Sequence, residues 1–165
     1  MSSNPYDHTD VGTVASRERF AKEARQVQII CAALVMGCVV FAMLGLVIKG
    51  VSNEVYENAS VVTWLGVVLG SLLLVQSVVV PMMIARRKAD SVDGWFGIYR
   101  IKTIVGMAIC EGAAFFNVVA YIIDVQLISL GVVVLLLLRM FTFFPTAGGL
   151  ENWLSNRMRT AEQGF

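Results

Sequence analysis

Residues 101–123 read IKTIVGMAICEGAAFFNVVAYII, a long and mainly apolar stretch with a single acid, Glu111, near its middle. About 20 such residues in a helix are enough to cross the hydrocarbon core of a bilayer. An acid at the centre of that helix is unfavourable, because insertion scales put a comparable charged group at roughly 2.5–3.5 kcal/mol. Glu111 must therefore be neutralised, paired or used, and it is the first candidate for a functional residue.

Three further apolar stretches predict an all-α integral membrane protein, a bundle of four transmembrane helices. The predicted spans are residues 29–48, 61–84, 101–123 and 127–144. Only three residues separate the last two spans, and one helix over 101–144 would be about 65 Å long, roughly twice the hydrocarbon thickness. The chain is therefore predicted to reverse near Asp124, so that these two spans form an antiparallel hairpin.

The composition agrees with a membrane protein and argues against an enzyme. Hydrophobic residues make up 57% of the chain and charged residues 15%, whereas a soluble domain carries about 25% charge. The three cysteines all lie in apolar stretches, and an odd number there predicts neither a disulfide framework nor a metal site. No nucleophile–base pair is visible. We therefore expect no catalytic residue, no metal, no cofactor and no nucleic-acid partner.

The basic residues predict the orientation of the chain. They precede the first span, surround the loop between the second and third, and recur after the fourth: Arg17, Arg19, Lys22, Arg25; Arg86, Arg87, Lys88, Arg100, Lys102; Arg157, Arg159. Basic clusters stay on the cytoplasmic side of a membrane. We therefore expect a multi-pass protein with both termini in the cytoplasm, and we expect the membrane to be a bacterial inner membrane.

Both tails are predicted to contain a short amphipathic helix, and the N-terminal one is expected to run directly into the first span. Residues 1–28 form a cytoplasmic tail, residues 29–144 the transmembrane domain and residues 145–165 a C-terminal interfacial helix and tail. The expected interfacial anchor consists of Trp153, Leu154, Arg157 and Arg159, because apolar and basic residues on such a helix suit a surface of anionic lipid. A helix that binds a partner protein is the alternative interpretation.

Small residues in the spans indicate close helix packing. Gly66 and Gly70 have the GxxxG spacing, Ser77 lies further along a similar face, and Gly106 is in the third span. Small residues at this interval let two helix backbones approach closely. We interpret these four positions as packing sites within the bundle, with contacts between copies as the alternative.

Arg139 is the candidate partner of Glu111. Glu111 lies 13 residues before Asp124, and Arg139 lies 13 residues after Gln126. Equal rise on both legs of the hairpin puts the two charges at the same depth. An ion pair would hold the carboxylate charged. The alternative is that Arg139 extends to the inner interface and leaves Glu111 protonated, or bonded to another helix.

The stretch around Glu111 also carries a family pattern. After Arg100, small residues lead to an acid, an aromatic residue follows about a turn later, and aliphatic residues complete the helix. The positions that fit are Gly106, Ala108, Glu111, Gly112, Phe116, Val118 and Val119. This pattern resembles the outer helix of the proteolipid c subunit of rotary ATP synthases, and Ala85-Arg86-Arg87 stands where that family has its cytoplasmic loop. The resemblance implies that spans two and three form a hairpin in which Glu111 binds a proton.

Two classes of function follow from these observations. The first is a non-catalytic accessory, assembly or scaffold subunit, embedded in the lipid bilayer and associated with further copies or with a larger membrane complex. The alternative is a c-subunit-like rotor, or a small proton-coupled transporter, that uses Glu111.

Overall fold

The structure is a computed structural model, and it describes residues 14–51, 60–89 and 91–163. These residues form helices and no strand, which confirms the all-helical prediction. The helices are α1 (Val14–Val51), α2 (Val61–Ala85), α3 (Val92–Asp124), α4 (Leu127–Phe141) and α5 (Ala147–Gln163). The first 13 residues of the predicted cytoplasmic tail lie outside the described part.

Three of the described helices, α1, α2 and α3, are long and apolar enough to cross a membrane. Helix α4 is apolar but has 15 residues, about 22 Å at 1.5 Å per residue, against a hydrocarbon core of about 30 Å. It ends at Phe141 rather than at residue 144, the predicted end of the fourth span. The physical reason is Pro145, because a proline disfavours helical backbone at the residue before it, here Phe144.

Helices α1 and α3 are longer than the spans predicted within them. Helix α1 has 38 residues and α3 has 33, which corresponds to about 57 Å and 50 Å. The helix expected in the N-terminal tail runs directly into the first predicted span, as predicted, because α1 continues without a break from Val14 through that span.

The predicted chain reversal near Asp124 is present. Helix α3 ends at Asp124, and Val125 has left-handed backbone with φ of 53°. The Val125 amide donates to the carbonyl of Tyr121 at 2.8 Å, which closes the end of the helix. Helix α4 begins two residues later, at Leu127.

Helix α3 is the central element, because α1, α2 and α4 all pack against it. On the side of α1, the ring of Phe41 meets Phe115 edge to face at 5.1 Å. One turn further along, a Cβ atom built on Gly45 would lie 3.0 Å from Val118 Cγ1. The core between these helices contains Met107, Cys110, Val118, Leu136 and Met140, all buried.

A second core joins α5 to the N-terminal parts of α1 and α3. Its buried members are Phe20 and Ala24 from α1, Trp95, Phe96 and Tyr99 from α3, and Leu150 and Leu154 from α5. Ion pairs of Arg19 with Asp93 and of Arg100 with Glu23 connect α1 and α3 beside it. We call this end of the molecule the basic end, since it carries the arginines and lysines of α3, α5, the N-terminal half of α1 and the segment after α2.

Candidate functional site

Glu111 lies near the middle of the apolar part of α3, with its side chain directed toward α1. Its Oε1 atom would be 3.4 Å from a Cβ atom built on Gly37. The residue is neither fully buried nor fully exposed. Within the described part of the chain, Glu111 has no hydrogen bond and no ion pair. The carboxyl group is therefore at a helix–helix boundary without a polar partner there.

Arg139 is not brought into contact with Glu111. Its Nε atom donates to Ser77 Oγ at 3.4 Å, and its Nη1 atom donates to Thr142 Oγ1 at 2.8 Å. The guanidinium group also stands 4.5 Å from the centroid of the Phe143 ring. The two charges lie on different sides of α3, Glu111 against α1 and Arg139 between α2 and α4, so the predicted ion pair is not formed in this structure.

Gly66 and Gly70 of α2 both lie against Asn117, a residue of α3 that the sequence analysis did not select. A Cβ atom on Gly66 would lie 3.0 Å from Asn117 Oδ1, and one on Gly70 would lie 2.8 Å from Asn117 Nδ2. Asn117 is fully buried and donates from Nδ2 to the carbonyl of Ala113 at 2.9 Å. Its Oδ1 atom has no hydrogen-bond partner among the described residues. The signal for this contact was an amide in an apolar helix, since such residues face neighbouring helices.

Ser77 and Gly106, the other two predicted packing residues, also lie at contacts within the chain. Ser77 is fully buried, and its hydroxyl donates to the carbonyl of Leu74 at 2.6 Å. A Cβ atom on Gly106 would lie 2.8 Å from the Phe143 ring and 3.0 Å from Pro81 Cγ. These contacts let α2 and the end of α4 approach α3 closely.

Asp124 connects the end of α3 to the start of α2, which the sequence did not reveal. Its Oδ2 atom accepts hydrogen bonds from the Ser60 hydroxyl, from the Thr63 amide at 3.1 Å and from Thr63 Oγ1 at 2.6 Å. Asp124 and Thr63 are both buried. A carboxylate is favourable beside the free amides of a helix N-terminus. The hydroxyl residues at the start of α2 were the only local signal for this contact.

The predicted interfacial residues of α5 have different positions. Leu154 is fully buried in the second core, so it does not face lipid as an anchor residue would. Trp153 is partly exposed, and its ring lies 5.4 Å from that of Tyr99. Arg157 stands 5.8 Å from the Trp153 ring, and Arg159 is exposed. The apolar face of α5 thus packs against α1 and α3.

The described residues contain no group of three or more histidines, cysteines or acids that could hold a metal ion. Cys31, Cys38 and Cys110 are all buried and free.

Comparison of the chain with protein-family models, with curated proteins and with solved structures gives no match. The class of the protein therefore rests on its own architecture, an all-helical chain with three helices long and apolar enough to cross a membrane. The resemblance to a proteolipid c subunit stays a prediction.

Proposed function

We propose that this protein is a non-catalytic accessory, assembly or scaffold subunit of a membrane complex, and that Glu111 belongs to its contact with a partner. The observation that carries the proposal is the Glu111 carboxyl group, which lies in the apolar part of α3 without a hydrogen bond or ion pair from the described residues. A polar group in hydrocarbon is unfavourable unless it is satisfied. A hydrogen-bond donor or a cation on a partner helix would satisfy it.

The surface beside Glu111 supports a helical partner. Ala108 and Gly112 are exposed, and a Cβ atom built on Gly112 would meet nothing within 4 Å. Phe116, one turn further along, is 37% exposed. Small residues beside a polar group allow the close approach by which transmembrane helices associate. The partner is a second copy of the chain or another membrane protein.

We place the basic end in the cytoplasm, with both chain termini on that side. The support is the concentration of lysine and arginine at this end, where the positive-inside rule expects them. Helix α4 returns the chain from Asp124 to the same end, and residues 142–146 complete the crossing that its 15 residues leave short.

A rotor-like or transporter-like role is the second candidate. The same observation favours it, because the described cations do not pair with Glu111 and a desolvated carboxyl group is easily held protonated. The next acid along α3, Asp124, is engaged by Ser60 and Thr63 at the far end of the helix. A proton path would therefore depend on Glu111 alone among the described residues of the apolar region.

Photocrosslinking in native membranes tests the subunit proposal. A benzophenone side chain at position 112 is expected to crosslink to one discrete partner, whereas the same group at position 72, an exposed leucine of α2, is expected to react only with lipid. Glu111→Ala should lower the crosslinking yield at least tenfold, equivalent to about 1.4 kcal/mol. The matched control is Gln76→Ala, which removes an exposed polar group from α2 and should change the yield less than twofold. Equal losses in both variants would contradict the proposal.

Proton flux separates the accessory subunit from a transporter. The purified chain in liposomes with an internal pH dye is expected to show no flux that depends on Glu111, because an accessory subunit does not move protons by itself. A flux that Glu111→Gln abolishes and Gln76→Ala leaves intact would support the transporter instead.

A further inference from the structure

Two adjoining cavities open at the basic end. The first has a volume of about 210 Å³ and lies between α2, α3 and the end of α4. The second has a volume of about 280 Å³ and lies between α3, the segment after α4 and α5. Lys102, Thr103 and Phe143 line both. We call the two together the basic cleft, which is much larger than the ~30 Å³ that one water molecule occupies.

The basic cleft carries positive charge without a carboxylate. Arg139 lines the first cavity and Lys102 lines both, and the described residues around them include no acid. Among the described acids at this end, Asp93 pairs with Arg19 and Glu23 with Arg100, and Glu18 and Glu151 do not line either cavity. The two cations are therefore expected to attract an anion. The attraction between opposite charges is stronger in a region of low polarity than in water, because the dielectric constant there is lower.

Neutral groups hold both cations in place. The Lys102 Nζ atom stands 4.6 Å from the centroid of the Tyr99 ring and 4.3 Å from that of Trp153. Such contacts attract a cation through the ring's electron density but leave its charge uncompensated. Arg139 is held by Ser77, Thr142 and Phe143, as described above. Thr103 and Thr146 also line the second cavity, and a threonine hydroxyl can donate to an oxygen of an anion.

The first cavity has an apolar side that faces outward along α2. Val78 and Met82 line it and are 39% and 61% exposed, respectively. Pro81 and Phe143 complete this side. A ligand that fills the whole cleft therefore has an anionic head and an apolar tail.

The depth of the basic cleft agrees with a headgroup position. Lys102 lies about 33 Å along α3 from Asp124, at 1.5 Å per residue, which is close to the thickness of a hydrocarbon core. When Asp124 lies at one surface of the bilayer, Lys102 lies at the other. Basic pockets between transmembrane helices at this level suit anionic lipid headgroups.

We propose that the basic cleft binds the phosphate group of an anionic phospholipid, held by Lys102 and Arg139, with an acyl chain along Val78 and Met82 of α2. The proposal needs the membrane placement of the helices but not the partner site at Glu111. A free phosphate offers the same head chemistry without the apolar tail, so the two sources can be told apart.

Titration of the purified full chain, stripped of lipid in a neutral detergent, tests the proposal. Phosphatidylglycerol is expected to raise the melting temperature by several degrees, whereas phosphatidylcholine and inorganic phosphate should leave it unchanged. Lys102→Gln combined with Arg139→Gln should weaken the apparent affinity for phosphatidylglycerol at least tenfold. The control is Arg87→Gln combined with Lys88→Gln, which removes two exposed charges from the same end and should change the affinity less than twofold.

Two further variants distinguish a loss of lipid binding from a loss of the folded structure. Lys102→Arg keeps the charge and should bind within about threefold of the wild type, and Lys102→Gln alone leaves the contacts of Arg139 intact while still weakening binding. Equal weakening by the cleft pair and the control pair would overturn the proposal, since it would mean unspecific attraction. Stabilisation by inorganic phosphate and not by phosphatidylglycerol would mean that the cleft binds a soluble phosphate. That result would overturn the proposal of a phospholipid ligand.

Discussion

Replacing Asp124 with alanine is expected to lower the free energy of unfolding by about 2–4 kcal/mol, because several hydrogen bonds at a helix start are lost together. The carboxylate accepts from Ser60 and from both the amide and the hydroxyl of Thr63. Thr63 is fully buried, so its two donors would be left without an acceptor. Thermal or denaturant unfolding in detergent, followed by circular dichroism, measures the loss.

The control for Asp124→Ala is Asp93→Ala on the same helix. Asp93 is exposed and pairs with Arg19, which is also exposed, and such surface pairs contribute at most about 1 kcal/mol. Asp124→Asn keeps one acceptor oxygen and should fall between the two. A loss for Asp124→Ala no greater than that for Asp93→Ala would mean that the connection between α3 and α2 does not stabilise the bundle.

Gly70→Ala is expected to destabilise the protein by about 1–3 kcal/mol, the range found when a well-packed interior is overfilled. The added methyl group would lie 2.7 Å from Val132 Cγ1 and 2.8 Å from Asn117 Nδ2, well inside the 3.5–4.0 Å of favourable contact. Helix α2 would have to move away from α3 and α4. Disulfide trapping or unfolding measurements in detergent report that separation.

Gly131→Ala is the matched control for Gly70→Ala. It makes the same change in a helix, but a Cβ atom at position 131 would meet nothing within 4 Å. Alanine is a better helix former than glycine by up to about 1 kcal/mol, so this variant should be neutral or slightly stabilising. Destabilisation of both variants to the same extent would show that the effect comes from the backbone rather than from the contact with Asn117.

These two expectations concern the contacts that hold α2 against α3, and neither involves an ion pair within the bundle. Asp124 accepts from a backbone amide and from hydroxyl groups, and Asn117 donates to a backbone carbonyl, so neither contact uses an opposite charge. Buried charges need well-placed partners to offset the free energy of desolvation. The desolvation of a hydroxyl or amide group costs less free energy than that of a charge. Arg139 follows the same pattern in its contacts with Ser77 and Thr142.

The sequence by itself determined the helical class, the position of α2 and the reversal between α3 and α4. The predicted span 61–84 differs from Val61–Ala85 by one residue, and the chain turns at Val125 beside the predicted Asp124. Apolar stretches and the length of a bilayer-spanning helix are local properties, so they can be read along the chain.

Only the tertiary structure decided which side chains face one another. Glu111 and Arg139 have equal separations from the turn, yet Glu111 faces Gly37 of α1 and Arg139 contacts Ser77 of α2. Leu154 has the spacing of a lipid-facing residue, yet it is buried against α1 and α3. The rotation of a helix about its axis depends on packing with elements distant in the chain. Helix rise determines how deep a residue lies, and only those distant contacts determine the direction in which it points.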